Sequence, residues 1–367
     1  MTPMTPHVLV FSTLGHGSNE EARIRELTAA FSPTLFPFDR SKKRRMFGKL
    51  LGEIRRTRPD VLVMEGTGLA GGLACLASRF LFGTKYVVSS GDAVGPWVGQ
   101  IVRVLGPVFG LYERLLCRFA AGFIGWTPYL AGRALTFGTK RVMTAAGWAP
   151  FVRSSESRDQ DRRRTREAYG IPQDAIVAGM IGSLAWNRRF RYCYGQELVS
   201  AAHLVKRENV VFLIVGDGTG KAHLERQAAG LPAGRVIFTG RKPQEQLPEF
   251  YAAMDVASLP QSVDKVGSFR YTTKLPEYLA FGLPVVTGTI PLAYDLDGGW
   301  LWRLPGHAPW DPAYATAFAE LLDRLTLDEL ESKRHAVPQS MELFDRQKQA
   351  ARTTDFLHDL IATASRK

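Results

Sequence analysis

The stretch KLPEYLAFGLPVVTG, residues 274–288, decides the fold of this chain. Its first half has the apolar spacing of a short helix. That helix ends at Gly282-Leu283-Pro284, because glycine favours a helix terminus and proline cannot continue the helical hydrogen bonds. The apolar residues 284–287 then predict a buried strand. A short helix leading directly into a buried strand is typical of a parallel sheet covered by helices.

The same alternation of strands and helices continues along the chain. Before the opening stretch we predict strands at 7–12, 60–65, 85–90, 122–125 and 142–145, then at 175–181, 210–215, 236–239 and 256–259. Helices are predicted between the strands, among them one at 73–82 after a glycine-rich turn at 66–72, and at 312–325 and 346–364. Strands joined by helices form parallel sheets, so we expect an α/β chain with two Rossmann-like domains.

Length and composition also favour two domains. The chain has 367 residues, more than one ordinary core holds, and 45% of them are hydrophobic, which excludes a disordered protein. The polar and charged segment 153–166 is predicted as a linker running into a helix. We therefore place an N-terminal domain at 1–152 and a C-terminal domain at 167–342.

Basic residues outnumber acidic ones. The chain has 47 Lys and Arg against 35 Asp and Glu, a formal net charge of +12, which predicts a phosphorylated substrate, an acidic membrane surface or nucleic acid as partner. Nine of the basic residues lie between 40 and 58, with Glu53 as the single acid. This cluster is either a solvated face or a docking surface for anionic lipid. Nucleic acid is not favoured, because no nucleic-acid-binding motif accompanies the charge.

The cysteines and the N-terminal segment carry no pattern of a metal site, a signal peptide or a membrane span. Cys75, Cys117 and Cys193 lack metal-ligand spacing and are predicted as small core residues of a protein in a reducing cytoplasm. We expect no metal and no cofactor. Residues 1–10 lack a signal-peptide pattern, and the apolar stretch 94–111 is interrupted by proline and arginine, so we predict no membrane span.

A glycine loop follows the first predicted strand. Gly15 and Gly17 flank His16, and Glu20 stands where a dinucleotide-binding motif would have its third glycine. The loop is either a tight turn or a segment whose backbone closes on a diphosphate. His16 is either a solvated loop residue or a group that reaches an acceptor.

Glycine and polar residues also follow three strands of the second domain, where doubly wound sheets bind ligands. These candidates are Ser183, Arg188, Arg189, Gly216, Gly240 and Arg241. Arg188 or Arg189 would meet a diphosphate, whose oxygens a guanidinium binds in pairs. The alternatives are solvated surface arginines and glycines that only permit turns.

Lys274 and Glu277 lie on the predicted helix of the opening stretch. The apolar residues Leu275 and Tyr278 turn one face of this helix into the core, which leaves Glu277 near the strand ends. Free backbone N–H groups and the helix dipole suit a phosphate, and a carboxylate beside them suits ribose hydroxyls. The stretch therefore predicts half of a nucleotide-sugar site.

Five segments of the second half resemble the donor-binding domain of GT-B glycosyltransferases of the retaining family 4, the glycosyl transferases group 1. In order and spacing they are 182–188, VGDG at 215–218, VIFTG at 236–240, YAAMDV at 251–256 and KLPEYLAFGLPVV at 274–286. In the first half, Glu113-Arg114 and the stretch to 128–130 are similar to a helix and strand late in the family's acceptor domain.

The resemblance implies two Rossmann-like domains facing a central cleft, with a C-terminal helix at 343–367 that crosses back to the N-terminal domain. It implies that Glu277 holds the ribose hydroxyls of the sugar nucleotide and that Arg188 replaces the usual lysine at the diphosphate. The Gly15 loop would close on the sugar nucleotide. Asp92 would contact the transferred sugar or the acceptor, or else serve as a helix N-cap.

Two positions depart from the family pattern. Phe269 stands eight positions before Glu277, where the family's Glu-x7-Glu motif has its first glutamate, and Ser183 stands where an arginine is usual. The missing glutamate normally faces the sugar. One alternative is therefore a non-catalytic GT-B relative that binds a nucleotide sugar or scaffolds a glycan-assembly complex.

The main expectation is a metal-independent, hexosyltransferase-type glycosyltransferase. It would move a sugar from a nucleoside-diphosphate sugar to a glycan or lipid-linked glycan, with retention of configuration, in the assembly of cell-envelope polysaccharide. We expect a cytoplasmic protein, peripheral at the membrane through residues 40–58. The apolar segment 97–119 is either core or a second lipid contact.

Overall fold

The computed structural model describes residues 6–151, 154–338 and 341–362, which form two compact units. Of these residues, unit 1 takes 6–147, Phe269–Tyr271 and 342–362, and unit 2 takes the rest. Each unit has its own parallel sheet and its own hydrophobic core. The domain boundaries that the sequence predicts at 152, 166 and 342 stay predictions.

Unit 1 contains six parallel strands in the order β2-β1-β3-β4-β5-β6. The strands are β1 Val8–Ser12, β2 Thr34–Leu35, β3 Val61–Glu65, β4 Tyr86–Ser90, β5 Gly122–Gly125 and β6 Val142–Thr144. The helices are α1 Asn19–Leu27, α2 Lys43–Thr57, α3 Leu69–Phe82, α4 Val94–Ile101, α5 Gly106–Phe119 and α6 Pro128–Thr136. The strands β1, β3 and β4 are buried at every position, as expected for a parallel sheet covered on both faces.

Unit 2 contains six parallel strands in the order β12-β11-β10-β7-β8-β9. The strands are β7 Ile176–Ile181, β8 Val210–Val215, β9 Val236–Gly240, β10 Val256–Leu259, β11 Val285–Gly288 and β12 Leu301–Leu304. The helices are α7 Ser155–Ala168, α8 Gln196–Ala202, α9 Lys221–Ala228, α10 Leu247–Ala253, α11 Lys274–Ala280, α12 Leu292–Asp295, α13 Pro312–Arg324 and α14 Leu327–Ala336. The last helix, α15 Arg346–Ala362, belongs to unit 1.

The segment predicted as a linker is mostly the helix α7. Its arginines converge on Asp255, whose carboxylate accepts hydrogen bonds from Arg162 at 2.8 Å and from Arg166 at 2.7 Å, and also pairs with Arg334. Burial opposes ionisation of Asp255, but the three guanidinium groups outweigh burial and hold its pKa below the usual value. The charges that made this segment look like a linker therefore anchor α7 in unit 2. Arg153 lies outside the described residues.

Helix α3 begins four residues earlier than predicted. Residues 66–72 are glycine-rich and were expected to form a turn, but Gly71 and Gly72 lie inside α3. A Cβ on Gly72 would lie 1.9 Å from the Tyr112 hydroxyl oxygen, and one on Gly71 would lie 2.7 Å from the Phe11 ring. These glycines thus permit close helix packing. The sequence patterns did not predict the strands β2 and β12 or the helix α14.

Among the described residues, every helix is too short or too polar to cross a bilayer.

Candidate functional site

The candidate residues of unit 2 follow strands at a topological switch point. The chain proceeds from β7 to β8 and β9 on one side of the sheet, and from β10 to β11 and β12 on the other. Loops that leave β7 and β10 therefore diverge, and ligands of doubly wound sheets bind in the crevice between such loops. Ser183 follows β7, and the helix α11 with Lys274 and Glu277 follows β10.

Glu277 is a buried carboxylate with one occupied oxygen. Its Oε2 accepts a hydrogen bond of 2.7 Å from Lys274 Nζ and another from the Tyr251 hydroxyl. Its Oε1 has no partner within the described parts of the chain. Burial, and next the neighbouring Glu277, raise the pKa of Tyr251 far above the usual value, so this hydroxyl remains a hydrogen-bond donor. The side chain is thereby held in place with Oε1 available to ligand hydroxyls.

Helix α11 is fixed against the strand ends by Tyr278. The Tyr278 hydroxyl donates to the Ser258 carbonyl of β10 at 3.1 Å and accepts from the Ile181 N–H of β7 at 3.5 Å. These contacts hold Glu277 at the switch point. Since α11 has only seven residues, the position of Glu277 depends on these contacts more than on the helix dipole.

The loops after β7, β8 and β9 pack backbone against backbone. Leu184 N–H donates to the Asp217 carbonyl at 3.0 Å, and Gly216 N–H donates to the Gly240 carbonyl at 3.0 Å. Gly216 has φ +151°, and a Cβ there would lie 1.9 Å from the Gly182 carbonyl oxygen. The structure therefore brings the segments of Ser183, Gly216 and Gly240 together, and only glycine fits at position 216.

The arginine candidates are exposed beyond this loop layer. Arg188 has no hydrogen bond or ion pair among the described residues, and the guanidinium of Arg189 lies 5.4 Å from the centre of the Phe190 ring. The side-chain oxygen of Asn187 accepts the N–H groups of Arg189 and Phe190, which fixes the turn that carries both arginines. Arg241 is also exposed. Among the described residues, none of these arginines forms a hydrogen bond or ion pair with Glu277.

The Gly15–Gly17 loop of unit 1 uses its backbone N–H groups internally. Gly15 and Gly17 have φ +119° and +77°, and the N–H groups from Gly15 to Ser18 are all bonded within unit 1. The buried Glu21 carboxylate accepts from Gly17 N–H at 2.7 Å and contacts His16 Nδ1 at 3.0 Å. The backbone N–H groups of this loop are therefore not available to a ligand. The exposed His16 imidazole is the group of the loop that a ligand could reach.

Asp92 follows β4 in unit 1 and is not a helix N-cap. The N-cap of α4 is Ala93, and the Asp92 carboxylate instead pairs with Arg270 at 2.6 Å. The neighbouring Phe269 packs against the core of unit 1, and its carbonyl accepts the Thr127 hydroxyl at 2.8 Å. The position of the family's first glutamate thus carries a packed aromatic ring.

A buried ion pair at the switch point of unit 1 was not predicted from the sequence. Arg23 Nη1 lies 2.7 Å from the Glu65 carboxylate, which also accepts the Trp126 indole N–H at 3.1 Å. Burial raises the pKa of Glu65, although Arg23 opposes this, and Arg23 Nε has no hydrogen-bond partner among the residues that the structure describes. The signal in the sequence was a glutamate that ends the otherwise apolar strand VLVME.

Residues 176–324 match the family model of the glycosyl transferases group 1. The chain is 29% identical over 198 residues to a 2-deoxystreptamine glucosyltransferase from Streptomyces kanamyceticus, covering 51% of this chain and 49% of that protein. It is 33% identical over 189 residues to a D-inositol 3-phosphate glycosyltransferase from Catenulispora acidiphila, covering 47% of this chain and 41% of that protein. The chain thus spans about half the length of these curated relatives.

A solved structure is similar over nearly the whole chain. It is Anabaena HepE in complex with UDP-glucose, with a TM-score of 0.70 and 17% sequence identity over 96% of this chain and 100% of that one. At this identity the likeness establishes the fold.

Proposed function

We propose, from the chain's membership of the glycosyl transferases group 1 through residues 176–324 and from its GT-B fold, that it transfers a hexosyl group from a nucleoside-diphosphate sugar. The acceptor is a glycan or a lipid-linked glycan. The reaction proceeds with retention of configuration, as in family 4, and without a metal.

The observation that carries this proposal is the geometry of Glu277. Its Oε2 is bound by Lys274 and Tyr251, while Oε1, at the switch point of the sheet, has no partner among the described residues. A fixed carboxylate oxygen at this place suits the two adjacent hydroxyls of a ribose. That HepE was crystallised with UDP-glucose supports a sugar nucleotide as the ligand.

The chemistry requires stabilisation of the charge that develops on the leaving diphosphate. Arg188 and Arg189, exposed on the loop after β7, supply guanidinium groups for this charge, and Ser183 supplies a hydroxyl. Arg241 adds positive charge after β9. In unit 1, Asp92 and His16 contact the transferred sugar or the acceptor. These assignments rest on the positions of the residues after strand ends and on their chemistry.

The acceptor class rests on chemistry common to the relatives. The two curated relatives are named for 2-deoxystreptamine and inositol phosphate, which are hydroxylated rings. The acceptor of this chain therefore presents a sugar-like hydroxyl. A role in cell-envelope polysaccharide, at the cytoplasmic face of a membrane, is part of the same proposal.

One observation favours a second function. Phe269 packs against the core of unit 1 where the family's first glutamate would stand, so the sugar lacks that carboxylate. The second candidate is a non-catalytic GT-B protein that binds a nucleotide sugar or scaffolds a glycan-assembly complex.

Thermal unfolding with UDP-, GDP- and ADP-sugars tests the binding step. A ligand at about 100 times its Kd stabilises the folded protein by about 2.7 kcal/mol, which is readily measured. We expect one nucleotide series to raise Tm in the wild type and to have a much smaller effect in Glu277→Gln. If none of the three series raises Tm, the proposed sugar nucleotide is wrong for both candidate functions.

A further inference from the structure

Unit 1 exposes a large amount of apolar side chain. Of the 19 large hydrophobic residues that are exposed in the described parts of the chain, 14 lie between 69 and 119. The exposed fraction reaches 77% at Val104, 65% at Phe80 and 60% at Val108. Such a concentration exceeds the scattered apolar exposure of ordinary soluble surfaces and marks an interaction site.

The exposed residues lie on neighbouring elements. They belong to α3, α4 and α5 and to the turn at 102–105, and these elements pack on one another. At the end of α3 the Phe80 ring makes an edge contact with Phe119 of α5, with 4.8 Å between ring centres. On α5, Val108, Leu111 and Leu115 recur every three or four residues, so they share one face.

Helices α4 and α5 pack through glycines. A Cβ on Gly95 would lie 2.7 Å from Gly110 Cα, and one on Gly99 would lie 3.3 Å from Gly106 Cα. Because the two backbones approach this closely, their large apolar side chains are left to point away from the contact. With 8 and 14 residues the two helices are too short to cross a bilayer, but their outer face suits its interface.

Basic residues border the apolar face, whereas exposed acids are absent from the described helices α4 and α5. Arg103, Arg114 and Arg118 are exposed there. Glu113, the single acid between 94 and 119, is buried and bound to Arg133 at 2.9 Å. The face therefore combines apolar area with uncompensated positive charge.

A cavity of about 650 Å³ connects the apolar face with the basic helix α2. Arg55 and Arg58 line it together with Leu81 and Phe82 from the end of α3. The two guanidinium groups have no hydrogen-bond partner among the residues that the structure describes. Lys85 and Asp60 also line the cavity, and the Asp60 carboxylate accepts the His7 N–H at 2.8 Å. Three cations against one carboxylate, beside apolar side chains, suit an anionic headgroup and its acyl chain.

We propose that this face of unit 1, formed by α3, the α4–α5 pair and the basic side of α2, docks on a bilayer that contains anionic lipid. The apolar side chains enter the boundary between headgroups and acyl chains, and the arginines meet the phosphates. The inference stands independently of the proposed sugar transfer, because the candidate site residues lie elsewhere.

A second copy of this chain is the less suitable occupant. A twofold interface would place the same basic border opposite itself, and like charges at an interface are repulsive. An anionic bilayer can cover the apolar side chains of this face and neutralise its arginines at the same time.

Vesicle flotation tests the proposal with two matched double variants. Wild-type protein is expected to float with vesicles of equimolar phosphatidylcholine and phosphatidylglycerol, and far less with phosphatidylcholine alone. In Val104→Asp/Val108→Asp the partition coefficient falls about a hundredfold or more, because apolar area is lost and negative charge is added. The control Leu204→Asp/Leu327→Asp alters exposed leucines of unit 2 and adds the same charge, so it binds as the wild type does.

Fluorescence of Trp97, which is 41% exposed on α4, gives a second readout. A blue shift on anionic vesicles that disappears in Trp97→Phe supports insertion of this face, even if the double variant fails to fold. The proposal is overturned if the wild type does not float or if both double variants float equally. It is also overturned if sedimentation shows a dimer that only Val104→Asp/Val108→Asp dissociates.

Discussion

Arg270 binds Asp92 through two nitrogens, Nε and Nη2, each 2.6 Å from the carboxylate oxygen Oδ1. The two side chains are 25% and 44% exposed. An ion pair this open contributes only about 0–1 kcal/mol to stability. It nevertheless orients the carboxylate, and Oδ2 has no partner within the described residues. The pair therefore fixes the orientation of the Asp92 carboxylate more than it stabilises the fold.

Asp92→Asn is expected to separate these two roles. The free energy of unfolding should change by less than about 1 kcal/mol, because the pair is exposed. If Asp92 contacts the sugar or the acceptor, kcat/KM falls about tenfold or more, the cost of a hydrogen bond to a charged group. Urea unfolding and initial-rate kinetics check both numbers, with the exposed Asp328→Asn as control. Unchanged kcat/KM in Asp92→Asn would remove Asp92 from the site.

Glu277→Gln is expected to weaken sugar-nucleotide binding by about 10- to 150-fold. This range corresponds to about 1.5–3 kcal/mol for a hydrogen bond to a charged group. Calorimetric titration measures the affinity. The matched control is Glu225→Gln, which also removes a glutamate paired with a lysine in unit 2, at 3.6 Å. Equal loss of affinity in both variants would contradict a specific role for Glu277.

Arg188→Ala should lower kcat more than it changes stability. Removal of one group that stabilises developing charge costs about 100- to 1000-fold in kcat, whereas an exposed arginine changes stability by about 0.5 kcal/mol or less. Arg163→Ala removes another exposed charge, from α7, and should leave kcat intact. A normal kcat in Arg188→Ala would assign the diphosphate contact to other groups.

Gly216→Ala should distort the loop layer beneath the proposed ligand. The added Cβ would lie 1.9 Å from the Gly182 carbonyl oxygen, so the loops after β7 and β8 must move apart. Gly230→Ala is the matched control, because Gly230 has φ +92° but no atom within 4 Å of an added Cβ. Both variants carry backbone strain of about 1–3 kcal/mol, but only Gly216→Ala should also lose sugar-nucleotide binding. Thermal unfolding and titration distinguish the two effects.

Asp255 predicts an acid dependence of stability. Its folded pKa lies below its unfolded pKa, so the unfolded state binds more protons and stability rises with pH. The contribution is full above the unfolded value and is lost as the pH falls through the folded pKa, below 3.8. At neutral pH Asp255→Asn should destabilise by about 3–5 kcal/mol, because it leaves buried guanidinium charge unpaired. Urea unfolding between neutral pH and acid should show that the difference in free energy of unfolding between wild type and Asp255→Asn becomes smaller as the pH falls.

The parts of the fold that local patterns specify were predictable. Apolar runs predicted both parallel sheets, and the glycines that follow β7 and β8 and end β9 were correctly placed at strand ends. Glu277 was predicted near the strand ends because the apolar spacing around it assigns the neighbouring residues to the core.

Contacts between distant parts of the chain could not be predicted in the same way. Tyr251 lies 26 positions before its partner Glu277, and Arg23 lies 42 positions before Glu65. The charged segment of α7 looked like a linker because its common partner, Asp255, is far along the sequence. The glycines of α3 indicated a turn, since nothing local shows that Tyr112 packs against them.

The central claim is that the chain transfers a sugar from a nucleotide to an acceptor, and turnover tests it most directly. Wild-type protein and Glu277→Gln are incubated with the sugar nucleotide that stabilises the fold and with a panel of hydroxylated cyclitol, glycan and lipid-linked acceptors. We predict acceptor-dependent release of nucleoside diphosphate by the wild type, strongly reduced in Glu277→Gln. A wild type that binds the sugar nucleotide but releases no nucleoside diphosphate with any acceptor would contradict the claim and leave the non-catalytic function.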